Sequence, residues 1–392
     1  MISFLEAHRL LLQNTPCLPA EPCRIEAASG RVLRDAIRAD RPFPPFDRVM
    51  MDGFAFRAAD IQTGRSFRVT GSAPAGRAAV ILTKDTNCCV EVMTGAPLPL
   101  GADCIVPVEE TSRLGAEGIT IATSFDAVAG RFIHQAGSDA AEGEILLKPG
   151  TLLGSREIGV AASCGAGLLV VSRLPKISVI ATGDELVAVD ATPAVHQIRQ
   201  SNAHAIACAL QRAGFPVCHT GTLGDDATAD KLGEILLDRD WVILTGAISK
   251  GARDFIPALL EALGCRKIFH GVAQRPGKPA GCWIGPNGQM IMALPGNPVS
   301  ALTGLHAFVL PALALASGLT ILNRRLVIPQ SRMDGLPNMT QHLPVTLGND
   351  GRAVPAAARN SGDFIGLLRS DGFVTLPPRG ETATAFPFTP WF

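Results

Sequence analysis

Acidic residues recur wherever an apolar run of this chain stops at a Thr-Gly pair. Ala181-Thr182-Gly183 is followed by Asp184 and Glu185, His219-Thr220-Gly221 by Asp225 and Asp226, and Leu244-Thr245-Gly246 by Ser249 and, beyond Gly251, Asp254. A strand that ends in a Gly turn and passes into a helix is how open α/β sheets build ligand clefts at their carboxyl edges, so the pattern predicts that all three turns line one crevice. Carboxylates gathered at one edge repel one another unless a cation sits among them, and hard oxygen donors suit Mg²⁺. The same acids fit helix N-caps, which the helix dipole favours. Their recurrence in three turns is the argument for a ligand.

Positive charge is concentrated elsewhere. In Arg275-Pro276-Gly277-Lys278-Pro279 two prolines and a glycine stiffen a loop that carries two cations, and rigid cations suit an oxyanion because less side-chain entropy is lost on binding. A surface turn with incidental charges is the alternative for this pentapeptide alone. In Leu294-Pro295-Gly296-Asn297-Pro298-Val299-Ser300, Asn297 can cap a helix whose first position is Pro298. Such a helix start offers N–H groups to a phosphate-like anion. Capping explains Asn297 and Pro298 without a ligand, but the neighbouring cationic loop favours the anion. Asp52-Gly53, in an apolar setting, is a common turn pair, and Met93-Thr94-Gly95-Ala96-Pro97-Leu98-Pro99 reads as a rigid loop. The histidines form no i, i+4 pair, and no G-x-S-x-G elbow or Walker loop is present.

The elements that must position these residues change style along the chain. Ser3 and Glu6 fit a capping box ahead of Phe4, Leu5, His8, Leu11 and Leu12 at helical spacing, which predicts an opening helix. From Arg41 to Val170 the text is punctuated by Gly and Pro, with short alternating runs such as Cys89 to Met93, and predicts small β units. From Pro175 to about Gly318 strands alternate with helices: Lys176 to Ala181, a helix from Ser201 or Asn202 to Gly214, Val217 to His219, a helix near Thr228 to Leu237, Trp241 to Leu244, a helix Phe255 to Leu263, then strands 267–273 and 289–294. That alternation predicts a parallel sheet covered on both faces. The tail from Ile321 returns to Pro/Gly-rich β text.

The 392 residues exceed one ordinary core, and Lys plus Arg (35) balances Asp plus Glu (35), which leaves no bulk field for nucleic acid or an acidic membrane. The ten cysteines include no C-x-x-C pair, so reduced, mostly buried thiols are expected rather than a zinc site. The uncharged run Ile158 to Ser172 falls short of a membrane span. A soluble cytoplasmic protein is expected, with no nucleic-acid or membrane partner.

Seven segments in order, PPFDRVMMDGFA, MTGAPLP, GADCIVPVEET, ATGDELV, LTGAISKGARDF, RPGKP and LPGNPVSA, resemble the MoeA family, the molybdopterin molybdenumtransferases that include the gephyrin E domain. The resemblance spans nearly the whole chain. It implies a multidomain α/β plus β fold: a linker and dimerisation region (1–42 and 135–172), an inserted small β domain (43–134), a doubly wound α/β molybdopterin-binding domain (173–320) and a β-barrel-like C-terminal domain (321–392). It further implies a homodimer whose cleft lies between the α/β domain of one subunit and the inserted domain of the other. The implied reaction takes adenylylated molybdopterin and molybdate, with Mg²⁺, to molybdenum cofactor and AMP. Asp52 and Thr94 would reach in from the partner subunit, with Asp139 a weaker candidate. Glu185, Asp225 and Asp254 would hold the metal, and Gly183, Gly246 and Ser249 would border nucleotide and pterin. Arg275, Lys278 and Ser300 would hold molybdate or a phosphate, Pro279, Gly296, Asn297 and Pro298 would join the cofactor-binding residues, and Ser361 of the tail would be a closing contact. Contacts with a molybdopterin adenylyltransferase and a recipient molybdoenzyme would follow. Two alternatives are an adenylyltransferase acting on molybdopterin and a non-catalytic cofactor carrier. The chain departs from the family at Arg48-Val49-Met50 (usually Asn-Ser-Ala), Phe54 (Tyr), Phe132-Ile133-His134 (Asn-Ile-Arg), Arg199-Gln200 (Tyr-Asp) and Ala247 and Lys250 (within Gly-Gly-Val-Ser-Val-Gly). Arginines common in the tail are missing near Gln341 and His342.

Overall fold

The alternating strands and helices after Pro175 close into a six-stranded sheet in the order Val217–Leu223, Ile177–Thr182, Trp241–Thr245, Met290–Leu294, Gly281–Ile284, Arg266–His270. The first four are mutually parallel, and Gly281–Ile284 runs antiparallel to both its neighbours, Met290–Leu294 and Arg266–His270. Successive residues of a strand face opposite sides, and here both sides are apolar. Ile177, Val179, Ile243 and Met292 pack with the helix Asn202–Arg212 through Ala203, Ile206, Ala209 and Leu210. Ile180, Val242, Leu244 and Ile291 pack on the other face with Leu232 and Leu236 of the helix Ala229–Leu236 and with Ile256 and Leu260 of Ile256–Ala262. This is the doubly wound arrangement that the sequence predicts.

A computed structural model describes residues 1–63, 65–115, 117–248, 255–319, 325–356, 360–379 and 384–391. The chain packs as two units, one of Met1–Asp35, Pro149–Ser155 and Leu168–Phe392, the other of Ala36–Lys148 and Arg156–Gly167.

In the first unit the opening helix is Phe4–Asn14, and Ser3 Oγ accepts the Glu6 N–H at 3.1 Å. Glu6 does not complete the reciprocal half of the capping box, because its carboxylate takes Arg9. The run expected as one strand, 267–273, is two: Arg266–His270 in the parallel sheet and Val272–Arg275 in another, parted at Gly271, whose φ is +85°. Gly281–Ile284, four apolar residues with no readable period, is a strand the sequence does not announce. Val272–Arg275 belongs to a seven-stranded sheet ordered Ile2–Ser3, Val272–Arg275, Thr340–Leu347, Gly372–Leu376, Phe386–Pro390, Arg325–Val327, with Ala353–Pro355 beside Thr340–Leu347. The tail therefore shares its sheet with a strand that leads into the cationic loop.

One helical run, Pro298–Ala316, is long and apolar enough to cross a membrane, but 72% of its apolar window is buried inside the unit. Leu305–Val309 within it is a π-helical segment just ahead of Pro311, whose ring nitrogen cannot donate to the ladder.

The second unit is built on a six-stranded sheet, Cys104–Pro107, Gly53–Phe56, Cys88–Val92, Ser66–Ala73, Gly118–Ile121, Thr111–Leu114. Phe54, Phe56, Phe67 and Ile119 fill one core cluster, and Val49, Ala55, Val90 and Ile105 another. Gly53 has no substitute in this sheet, since a Cβ there would overlap the Val106 carbonyl oxygen.

Candidate functional site

A cleft of about 680 Å³ opens at the carboxyl ends of the parallel strands. Two of the three Thr-Gly ends form its floor, Thr182-Gly183 and Thr245-Gly246, together with Pro295-Gly296 from the end of Met290–Leu294. The third end is elsewhere. Thr220 and Gly221 lie inside the strand Val217–Leu223, paired with Val179 and Ile180, so they do not line the crevice. Pairing continues past Gly221 to Leu223, and at Gly221 the absent side chain leaves room for the His219 ring. The turn comes at Gly224, and it still delivers Asp225 to the cleft.

Close packing explains the glycines. Gly246 has φ +105°, and a Cβ on it would stand 2.5 Å from Thr182 Oγ1 and 2.6 Å from Thr182 O. Gly296 lies 3.6 Å, measured from its ideal Cβ position, from the Gly246 Cα. Asn202, the first residue of its helix, holds the two loops together: its Nδ2 donates to Gly296 O at 2.7 Å and to Thr245 Oγ1 at 3.0 Å. Thr245 Oγ1 donates to Pro295 O at 3.1 Å and Thr182 Oγ1 to Thr245 O at 3.3 Å. Of these bracing residues, Asn202 carries no motif signal of its own. Gln200 also lines the cleft, and among the described residues its buried Oε1 has no hydrogen-bond partner.

The acids take distinct places. Asp184 Oδ1 accepts the Asp225 N–H at 2.8 Å, which ties the first turn to the second. Glu185 folds its carboxylate over Gly183, where a Cβ would stand 2.5 Å from Oε2, and Glu185 and Asp225 both line the cleft. Ser249 and Asp254 lie outside the described residues, and so does Lys250. Among the described residues no group of three or more His, Cys, Asp or Glu is placed to hold a metal ion.

From the cationic loop the cleft wall takes Pro279 but neither Arg275 nor Lys278, which are exposed on the same loop. Asn297 and Pro298 line the cleft, while Ser300 is buried behind them. The side chain of Asn297 does not cap its helix. Its Nδ2 donates to Ser361 Oγ at 3.0 Å, and only its backbone carbonyl serves the helix, accepting Ala301 N–H at 2.9 Å. The Val299 N–H donates to Ser361 O at 3.2 Å, so the tail already occupies one donor of the helix start.

In the second unit Asp52 and Thr94 come together. Asp52 Oδ1 accepts both the Thr94 N–H at 2.7 Å and the Thr94 hydroxyl at 2.8 Å, and these bonds hold the carboxyl below the usual carboxylate range. Asp139 pairs with His134 Nε2 at 2.8 Å, and His134 Nδ1 faces Arg48 Nη2 at 3.1 Å, so Asp139 is also lowered, chiefly by His134. An arginine cannot accept, which assigns Nδ1 as the acceptor and places the ring proton on Nε2.

An open sheet with a cleft at its carboxyl edge, joined to a second β unit and a β tail, defines an α/β protein built to bind a ligand at that edge. Residues 2–165 match the MoeA N-terminal region (domain I and II), and residues 178–315 match a probable molybdopterin binding domain. A molybdopterin molybdenumtransferase of Synechocystis is 34% identical over 402 aligned residues, covering 100% of both chains, and one of Synechococcus elongatus is 36% identical over 80% of each. A solved molybdopterin biosynthesis MoeA protein of Pyrococcus horikoshii superposes with a TM-score of 0.78 at 26% identity, covering 100% of this chain and 99% of that one. The chain belongs to the molybdopterin molybdenumtransferase family, and with it to the enzymes of molybdenum cofactor biosynthesis.

Proposed function

We propose that the protein inserts molybdenum: it takes adenylylated molybdopterin and molybdate, releases AMP and leaves the metal on the dithiolene. The observation that carries this reading is the cleft at the sheet edge, where Glu185 and Asp225 meet a floor of glycine backbone. Gly183, Gly246 and Gly296, whose missing side chains let the loops pack this closely, leave main chain in the cleft lining for a nucleotide or pterin to meet. Arg275 and Lys278 bind the oxyanion from the adjoining loop, with Ser300 behind it, and the Asn297–Ser361 bond lets the tail close over the anion. Glu185, Asp225 and Asp254 would hold Mg²⁺; two of them are hard carboxylates on one cleft, which fits that ion, and it would supply charge neutralisation at the phosphoanhydride.

Asp52, already fixed and ionised by Thr94, is delivered from the partner subunit of a homodimer in this reading. The four-part division at 42/43, 134/135, 172/173 and 320/321, a cytoplasmic location, and contacts with a molybdopterin adenylyltransferase and a recipient molybdoenzyme belong to the same proposal. The test is direct. Purified protein is incubated with adenylylated molybdopterin, Mg²⁺ and molybdate, and AMP is measured against Asp225→Ala and Asp254→Ala. Release that depends on both carboxylates is expected; release no faster than in the variants would end this reading.

A further inference from the structure

The cationic loop is braced by a buried chain of hydrogen bonds that starts in the tail. Gln274, on the strand leading into the loop, donates from Nε2 to the Gly277 carbonyl at 3.1 Å. That fixes its amide orientation and turns Oε1 toward His342 Nε2, 3.3 Å away, while His342 Nδ1 faces Thr375 Oγ1 at 3.1 Å. An amide oxygen accepts only, so His342 carries its proton on Nε2 and Nδ1 accepts the Thr375 hydroxyl. The ring is buried between Phe4 (4.8 Å, edge-on) and Phe373 (5.3 Å, edge-on), which leaves it one orientation. Backbone pairing runs alongside, since Gln274 and Arg275 pair with Thr340 and Gln341, and His342 pairs with Thr375.

Gly277 is the point of leverage. It sits between Arg275 and Lys278 with φ +90°, its carbonyl also accepts Ala280 N–H at 3.1 Å, and a Cβ there would stand 2.9 Å from Gln274 Nε2. Beyond it, Lys278 O accepts Val272 N–H at 2.8 Å. We propose that Gln274 and His342 are positioning residues for the cationic loop, so that the tail sheet sets the affinity of the oxyanion site through Gly277. The proposal rests on the reading that Arg275 and Lys278 bind molybdate.

AMP release is measured as a function of molybdate and, separately, of adenylylated molybdopterin for Lys278→Ala, Gln274→Leu, Gln274→Glu, His342→Leu and His342→Gln. Gln274→Glu keeps an acceptor for His342 but cannot donate to Gly277; His342→Gln keeps a donor for Gln274. The expected result is a molybdate KM raised about tenfold in Gln274→Leu, Gln274→Glu and His342→Leu, with the pterin KM unchanged and His342→Gln recovering most of the loss. If Lys278→Ala raises the molybdate KM and the Gln274 and His342 variants leave it unchanged, the positioning role is overturned while the anion loop stands. If Lys278→Ala has no effect on it, the loop reading itself fails. A parallel loss of both affinities and of near-UV circular dichroism, with no rescue by His342→Gln, would mark an ordinary packing defect and also overturn the proposal.

Discussion

Single backbone positions decide whether the cleft exists. Gly246 combines a left-handed φ with Thr182 atoms on the side where a Cβ would project. Gly246→Ala is therefore expected to destabilise the α/β unit by about 2–4 kcal/mol, the sum of a left-handed penalty and overpacking against backbone. Urea unfolding followed by near-UV circular dichroism checks it, and an unshifted midpoint would mean that Thr182 yields. Its neighbour predicts the opposite sign. Ala247 holds φ +46°, where the family usually has glycine, and Ala247→Gly removes that strain while adding unfolded-state freedom. The two terms leave a net gain of about 0.5 kcal/mol, visible as a small rise in the urea midpoint of the same unit. Asp52 illustrates a different kind of control, in which two bonds from Thr94 fix one carboxylate oxygen and keep the charge in place.

At the scale of elements, the helices and parallel strands were legible because burial imposes a period. Ala203, Ile206, Ala209 and Leu210 mark one helix face, and Trp241–Thr245 is buried at every position. What misled was the Thr-Gly pair at 220–221, since a glycine inside a paired strand looks the same in sequence as one that ends it. The braces of the cleft were illegible for another reason. Asn202 meets Thr245 and Gly296, and Gln274 meets His342, across separations of 43 to 94 residues that no local pattern encodes. The long helix and the tail sheet also bury two histidines, and burial pushes His306 down to about 4 and His342 down to about 3. Each folded ring is neutral, whereas in the unfolded chain each takes up a proton near pH 6.5, so the native state binds fewer protons below that pH. Their stabilisation is complete above about pH 6.5 and is lost as pH falls toward the folded values, at up to about 1.4 kcal/mol per pH unit for each ring. Thermal melts between pH 7.5 and 4.5 should show this decline, and His342→Gln should flatten about half of it. A melting temperature independent of pH over that window would contradict neutral burial.

At the scale of the whole molecule, the residues proposed for the chemistry are divided between the two units. Asp52 and Thr94 belong to one, and Glu185, Asp225 and the cationic loop to the other. If each cleft draws Asp52 from the partner subunit, a dimer of one Asp52→Ala chain and one Asp225→Ala chain has both lesions in one cleft and neither in the other. Each variant alone is expected to release little AMP. Mixed in equal amounts under conditions that exchange subunits, they should recover about a quarter of the native rate, because half the dimers are mixed and each mixed dimer keeps one intact cleft. The recovery must vanish when exchange is blocked by crosslinking each variant beforehand, which separates complementation from residual activity of either chain. A cleft completed within a single subunit gives a different result: both mixed and unmixed dimers then carry one lesion per cleft, and mixing restores nothing.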